Sequence, residues 1–200
     1  MNTTPWNKSR IIGQKRPLQI SHIWGIRIRL ELEGKVRDLA LFNMALNSKL
    51  RASDLVKLKV SDVAYGHAVS GRAIVLQQKT GSPVQFELTK GTREAVAAWI
   101  KVAHLRSTDY LFQSRVVSYR YISTRKYNRI FYGWIEKLGL DASLYSTHSM
   151  RRTKPYLIYK KTKNLRVIQL LLGHKKLEST VRYLGIEVDD ALEISESIEV

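Results

Sequence analysis

Apolar residues recur at helical spacing along most of the chain and at strand spacing only near its middle. Ser21 is placed to cap a helix running to about Glu31, and Gly34 precedes a second from about Lys35 to Asn47, with Leu39, Leu41, Phe42 and Leu46 as its apolar positions. The segment Ser53-Asp54-Leu55-Val56-Lys57-Leu58 predicts a short helix capped by Ser53. Between about Asp62 and Leu88 the pattern changes to two β-rich runs, Ala73–Leu76 and Val84–Leu88. They are separated by Lys79-Thr80-Gly81-Ser82-Pro83, which predicts a small antiparallel sheet closed by a tight turn. Helical periodicity returns at about Thr92–His104 and at Ser123–Leu138. In the latter, Tyr127, Ile130, Phe131, Trp134, Ile135 and Leu138 share a face and leave Arg125, Lys126, Arg129 and Lys137 to point outward. Thr147 is placed to cap a helix through about Tyr159, Gly173 to end another over Leu165–Leu172, and a further helix carries Tyr183. Ala191, Leu192, Ile194 and Ile198 predict a small amphipathic helix at the end. The expected fold class is α+β, mainly helical with a small antiparallel β-sheet.

Charge narrows the class of partner. The 200 residues hold 34 Lys and Arg against 17 Asp and Glu, a formal net charge of +17. Glu187, Asp189, Asp190, Glu193, Glu196 and Glu199 all follow the last basic residue, Arg182. Residues 1–182 therefore hold all 34 basic groups against 11 acidic ones, an excess of +23. A positive surface of that size attracts phosphate backbones and releases their condensed counterions. The basic residues are not gathered on one apolar-backed helix, so nucleic acid is favoured over an anionic membrane surface. With no cysteine, a disulfide framework, a thiol nucleophile and a cysteine-based zinc site are excluded. No apolar run approaches membrane-spanning length and the first residues lack the apolar core of a signal peptide, so the chain is expected to act in the cytoplasm.

Three segments carry the candidate chemistry: Leu50-Arg51-Ala52-Ser53-Asp54-Leu55, His148-Ser149-Met150-Arg151-Arg152-Thr153, and Leu172-Gly173-His174 followed by Thr180-Val181-Arg182-Tyr183. In order and spacing they resemble the signature boxes of the tyrosine recombinases, the phage-integrase family: Leu-Arg-x-Ser-Glu-Leu, His-x-x-Arg, and Leu-Gly-His leading to Thr-x-x-Tyr. Lys79, in the turn between the two β-runs, sits where the family places its catalytic lysine. The resemblance covers about residues 20–185. Each box alone occurs by chance in many proteins, whereas their conjunction on a strongly basic chain is a specific signal.

The resemblance implies a DNA strand-cutting and rejoining enzyme, a site-specific recombinase with Tyr183 as nucleophile. In-line attack on a phosphodiester develops negative charge on the non-bridging oxygens, which guanidinium forks match. Arg51 and Arg151 are expected to form that clamp. Attack by a tyrosine hydroxyl conserves the bond energy as a phosphotyrosyl ester, so rejoining needs no nucleotide. Lys79 is expected to protonate the leaving 5′ oxygen, His148 to position or deprotonate the tyrosine hydroxyl, and His174 to donate a hydrogen bond to a non-bridging oxygen. No metal or other cofactor is implied. Asp54 is read as an orienting partner of Arg51 or a helix-start residue. Pro155, inside the helix expected after Arg151, removes a backbone donor and puts the local geometry of that box in question.

The expected organisation is a flexible basic arm over residues 1–19, a catalytic domain over 20–185, and an acidic segment over 186–200, for which the resemblance implies docking on a neighbouring protomer. Most family members carry a helical core-binding domain ahead of the catalytic one; the residues before position 20 are too few for it, a compact layout resembling the fimbrial-switch invertases. The expected partners are double-stranded DNA and further copies of the chain, as a dimer or tetramer on DNA. Two other functions share these features: type IB topoisomerase-like strand relaxation, and a non-catalytic DNA-binding regulator that kept the fold.

Overall fold

A computed structural model of the chain describes residues 14–66, 68–114, 120–185 and 195–196. At its centre lies α2 (Val36–Ser48), in which every residue from Ala40 to Ser48 is buried. A helix covered on all sides needs neighbours all round. α1 (Ile20–Leu32), α4 (Lys90–Val102) and α6 (Thr147–Thr162) supply them. α5 (Thr124–Lys137) closes the core with Tyr127, Phe131, Trp134 and Ile135, while Arg125, Lys126, Arg129 and Lys137 are exposed as its periodicity requires.

Two small antiparallel sheets stand where one was expected. β1 (Ala64–Tyr65) pairs with β2 (Ala68–Val69), and β3 (Arg72–Leu76) pairs with β4 (Pro83–Glu87) in the register Ala73↔Phe86 and Val75↔Val84. Ala73, Val84 and Phe86 turn inward, whereas Ile74 and Leu76 face out, the alternation that pleating imposes on a half-buried hairpin. The turn between β3 and β4 is closed by the amides of Thr80 and Gly81 donating to the carbonyl of Gln77.

A partly buried ionic cluster fixes the hairpin against the helices. Lys49, just after α2 and fully buried, donates from Nζ to Glu87 Oε2 at 2.8 Å and to the Asn47 carbonyl at 2.8 Å. Lys154 of α6 pairs with the other Glu87 oxygen and donates to Asn47 Oδ1 at 2.7 Å. α2, β4 and α6 are thereby tied around one carboxylate.

α7 (Leu165–Leu172) and α8 (Leu177–Leu184) pack on the end of α6 around a separate small core of Ile168, Leu172 and Leu184, bordered by Ile158, Tyr159, Leu165 and Tyr183. The helix carrying Tyr183 thus rests on few apolar contacts. Residues Gln14–Gln19, expected as part of a flexible arm, are instead laid across α6. Arg16 N donates to the Leu144 carbonyl at 2.9 Å, Leu18 N donates to Thr153 Oγ1 at 2.9 Å, and the Leu18 side chain is buried. The rest of the expected arm, and all of the acidic segment except Ser195 and Glu196, lie outside the described residues.

Several caps differ from expectation. α1 begins at Ile20 after Gln19, so Ser21 lies inside the helix. The short helix α3 spans Ala52–Leu55 with Arg51 at its N-cap, which puts Ser53 inside and leaves no side-chain cap. α6 is capped by Ser146, whose Oγ accepts from His148 N at 3.2 Å, and Thr147 is its first residue. Pro155 is buried within α6, and the helix continues beyond it to Thr162. Because proline has no N–H, the helical bond that position 155 would make to the Arg151 carbonyl is missing. The second box is nevertheless helical throughout, from His148 to Thr153.

Candidate active site

Five of the six expected residues converge at the junction of α3, α6 and the α7–α8 pair, each arriving from near the end of an element. Arg51 precedes α3, His148 and Arg151 occupy the first two turns of α6, His174 follows the Gly173 cap of α7, and Tyr183 lies in the last turn of α8. Arg51, His148 and Arg151 line one cleft, and His148, His174 and Tyr183 line an adjoining pocket of about 560 Å³ with Gln14, Lys15, Arg152 and Arg182. His148 borders both. Lys79 lies on the exposed turn of the β3–β4 hairpin and lines neither.

Gly173 makes the junction possible. It ends α7 with a φ of +66°, a conformation that costs other L-residues energy. A Cβ there would meet Val84 Cγ2 at 2.6 Å and Gln77 Nε2 at 3.1 Å. The chain therefore turns directly against the hairpin, and His174 follows at the pocket.

Arg51 is held by Gln77, at the end of β3: Nη1 of Arg51 donates to Gln77 Oε1, and Gln77 Nε2 donates to the Leu172 carbonyl at 3.3 Å. The Asp54 carboxylate makes no hydrogen bond to the Arg51 guanidinium; its Oδ1 accepts from the backbone N of Gln78 at 3.1 Å, so it fixes the base of the hairpin turn from the first turn of α3. Arg151 is 5% exposed, and its Nη2 donates to the same Leu172 carbonyl at 3.2 Å. Its Nε is buried without a hydrogen-bond partner among the described residues. A guanidinium with an unspent donor beside a second guanidinium is suited to an incoming oxyanion.

The Tyr183 ring lies close to two guanidiniums. Arg151 Cζ lies 5.6 Å and Arg152 Cζ 5.7 Å from its centroid, and the His174 ring meets it edge-on at 5.5 Å. The hydroxyl is buried and has no hydrogen-bond partner among the described residues. Burial pushes it up to about 12, while Arg151, Arg152 and Arg51 pull in the opposite direction, so the phenol is protonated at neutral pH. His174 is pushed down to about 4, first by burial and then by Arg151 and Arg51, and its Nδ1 lies 3.1 Å from Thr180 Oγ1. His148 is lowered by desolvation and by Arg151, Arg51 and Arg152. Both imidazoles are therefore neutral at pH 7. A neutral imidazole has one donor and one acceptor nitrogen, which suits either hydrogen-bond donation or proton acceptance.

Sequence reasoning missed Gln77 and Arg152. Gln77 reads as one more polar residue before a turn, and nothing local marks it as buried. Arg152 is masked by its neighbour, because two consecutive arginines in a box offer no reason to assign both. Thr180 stood in the Thr-x-x-Tyr segment without a role.

A mainly helical domain with an edge hairpin, presenting two arginines, two histidines and a tyrosine across two adjoining clefts that share His148, defines a tyrosine recombinase catalytic domain. The Phage integrase family model matches residues 26–188, and the chain belongs to that family. It is 29% identical over 153 residues to the probable integrase/recombinase YoeC of Bacillus subtilis, covering 76% of this chain and 80% of that one. It is 27% identical over 193 residues to the tyrosine recombinase XerC of Caldanaerobacter subterraneus, covering 93% of this chain and 52% of that one. The chain thus spans about half the length of this XerC relative. Among solved structures, XerA recombinase superposes with a TM-score of 0.73 at 18% identity, covering 91% of this chain and 63% of that one. XerH site-specific recombinase bound to its difH substrate gives 0.71 at 18% identity, covering 92% and 55%. These likenesses show the shared α+β fold.

Proposed function

We propose that this chain is a site-specific DNA recombinase that cuts and rejoins double-stranded DNA through a covalent 3′-phosphotyrosyl intermediate on Tyr183. The observation that carries the reading is the convergence of Arg151 and His174 on the Tyr183 ring, at 5.6 and 5.5 Å from its centroid, on a chain of +17 charge. In this reading Arg51 and Arg151 clamp the non-bridging oxygens of the scissile phosphate, and the unpaired Nε of Arg151 is the donor kept for it. His174 donates from its other ring nitrogen to a non-bridging oxygen. Tyr183 Oη attacks phosphorus in line, its proton passing to a neighbouring base for which His148, neutral and on the pocket wall, is the candidate. The O–P bond to the 5′ oxygen breaks as the phosphotyrosyl bond forms, and Lys79 delivers the proton that the leaving oxygen takes. Lys79 stands apart from the pocket on its hairpin turn, so the reading requires that turn to close over bound DNA. In the reverse reaction a 5′ hydroxyl displaces Tyr183 and restores the phosphodiester without an external energy source.

The same reading assigns catalysis to residues 20–185 and the work of holding DNA to the basic surface. It places the active species on DNA as a dimer or tetramer in the cytoplasm, with the acidic segment 186–200 linking protomers. The matching XerH structure is itself bound to a DNA substrate, which supports duplex DNA as the partner. Among the described residues no helix is long and apolar enough to cross a membrane.

The test uses nicked duplexes drawn from inverted repeats flanking the gene, in which the nick lets the cleaved strand diffuse away. A covalent protein–DNA adduct that maps to Tyr183, and is absent in Tyr183→Phe with DNA binding retained, is the expected result. An adduct on another tyrosine overturns the site; DNA binding without any adduct turns the reading into a regulator. Relaxation of supercoiled plasmids lacking the repeats would instead mark a topoisomerase.

A further inference from the structure

Arg152 is buried at 8% exposure although nothing pairs its charge with an acid among the described residues. Its Nη1 donates to the Lys15 carbonyl at 2.7 Å, and its Nη2 donates to the Leu184 carbonyl at 3.3 Å, in the last turn of the helix that carries Tyr183. The same guanidinium lies 5.7 Å from the Tyr183 ring centroid. A second link runs alongside: Gln14 Nε2 donates to the Arg182 carbonyl. The segment that crosses α6 therefore meets the C-terminal end of α8 at two carbonyls, that of Arg182 bonded directly and that of Leu184 through Arg152.

These contacts separate the roles of two neighbouring arginines. Arg151 and Arg152 both reach the Tyr183 ring, with Cζ 5.6 and 5.7 Å from its centroid, but they differ in what their donors do. Arg151 keeps a buried, unpaired Nε, whereas both amino groups of Arg152 are spent on backbone carbonyls. α8 has only Thr180 and Leu184 fully buried, so its apolar anchoring is slight and a charged bond at its last carbonyls, where the helix dipole favours a cation, is a large part of its attachment. A ring held by cations on its faces leaves its hydroxyl free of any bond that attack would have to break.

We propose that Arg152 is a positioning residue for the nucleophile: it locks the end of α8 to the Gln14–Gln19 segment and holds the Tyr183 ring by its charge, without contacting the DNA phosphate. The proposal rests on Tyr183 being the nucleophile and deepens that reading. It gives the segment that precedes the domain a route to the reacting side chain, since displacing the Lys15 carbonyl unloads Arg152 and frees α8. It also makes Arg152 specifically intolerant of lysine, whose single ammonium cannot reach two carbonyls in a fixed fork.

The experiment compares Arg152→Lys and Arg152→Gln with the parent chain, using covalent capture on the nicked duplex, gel-shift binding to the same duplex, and amide hydrogen exchange over residues 177–184. A parallel set carries a fluorinated tyrosine at position 183, whose ionisation is followed by fluorine NMR. Both variants are expected to lower adduct formation at least about tenfold with duplex affinity within about twofold, and to speed exchange across α8 relative to α2. Arg152→Gln raises the ionisation midpoint of the fluorinated tyrosine and Arg152→Lys does not, a difference that a purely structural role cannot produce. Should Arg152→Gln fail to fold, Arg152→Lys alone decides, because unaltered α8 exchange or parental adduct formation in it overturns the proposal. A loss of adduct matched by an equal loss of duplex affinity makes Arg152 a DNA contact and overturns it too. An adduct that survives in Tyr183→Phe refutes the nucleophile assignment and is seen before Arg152 is touched.

Discussion

Arg51 donates a hydrogen bond to Gln77, and that bond joins the first arginine of the site to the hairpin whose turn carries Lys79. Gln77 in turn reaches the Leu172 carbonyl, where Arg151 also bonds. Gln77 thereby connects both guanidiniums to the hairpin, Arg51 directly and Arg151 through the shared Leu172 carbonyl. Gln77→Ala is expected to leave DNA binding nearly unchanged and to lower cleavage by up to about 100-fold, the scale for a misplaced catalytic group. Adduct formation at the parental rate would show that Arg51 finds its place without Gln77.

His174 and Thr180 form a second relationship, Nδ1 lying 3.1 Å from Thr180 Oγ1. With its folded value lowered to about 4 against 6.5 for the free side chain, His174 resists a proton that the unfolded chain accepts. Its contribution to stability is therefore complete above about pH 6.5 and declines as the pH falls toward 4. Imidazole NMR of the free protein is expected to find His174 neutral at pH 5.5. Binding of the duplex, which brings phosphate charge beside the ring, raises the midpoint. Thr180→Val leaves Nδ1 unpaired and is expected to lower cleavage about five- to tenfold, one hydrogen bond's worth. A parental cleavage rate in this variant would make the contact incidental.

Gly173→Ala tests whether the close approach of α7 to the hairpin matters. The left-handed conformation alone costs a non-glycine residue about 1–2 kcal/mol, which for a chain of this size lowers Tm by roughly 2–8 °C. The added methyl also pushes on Val84 and Gln77, so cleavage is expected to fall further than the stability loss accounts for. Unchanged melting in a thermal scan would contradict the geometry at this turn.

Glu87→Gln removes the single carboxylate between Lys49 and Lys154. Breaking a fully buried pair costs about 3–5 kcal/mol; Glu87 is partly exposed, so a loss of about 1–3 kcal/mol is expected from denaturant unfolding. Glu87 lies outside the pocket, and the variant at temperatures where it is folded should retain most of its cleavage activity. Stability within error of the parent chain would show that the two lysines find other partners.

The elements with strong periodicity were legible in the sequence. α5 turned its Tyr127–Ile135 face inward and its basic residues outward, α7 ended at Gly173, and the β3–β4 hairpin formed with Lys79 in its turn, because each depends on residues close in the chain. The boxes containing Arg51, His148, Arg151, His174 and Tyr183 could be read for the same reason, each being a short local pattern. Helix starts were displaced from the expected caps by two residues at Ser21 and Ser53, to Gln19 and Arg51, and by one at Thr147, to Ser146. Only the tertiary structure decided which side chains outside the boxes complete the site. Gln77 and Leu172 are 95 residues apart, and Arg152 and Lys15 are 137 apart. Hydrogen bonds between such distant positions leave no period in the chain, and they exist only after α2 has drawn its neighbours around it. Burial then does what no residue can do alone: it leaves Tyr183 protonated among three arginines and keeps His174 neutral beside them.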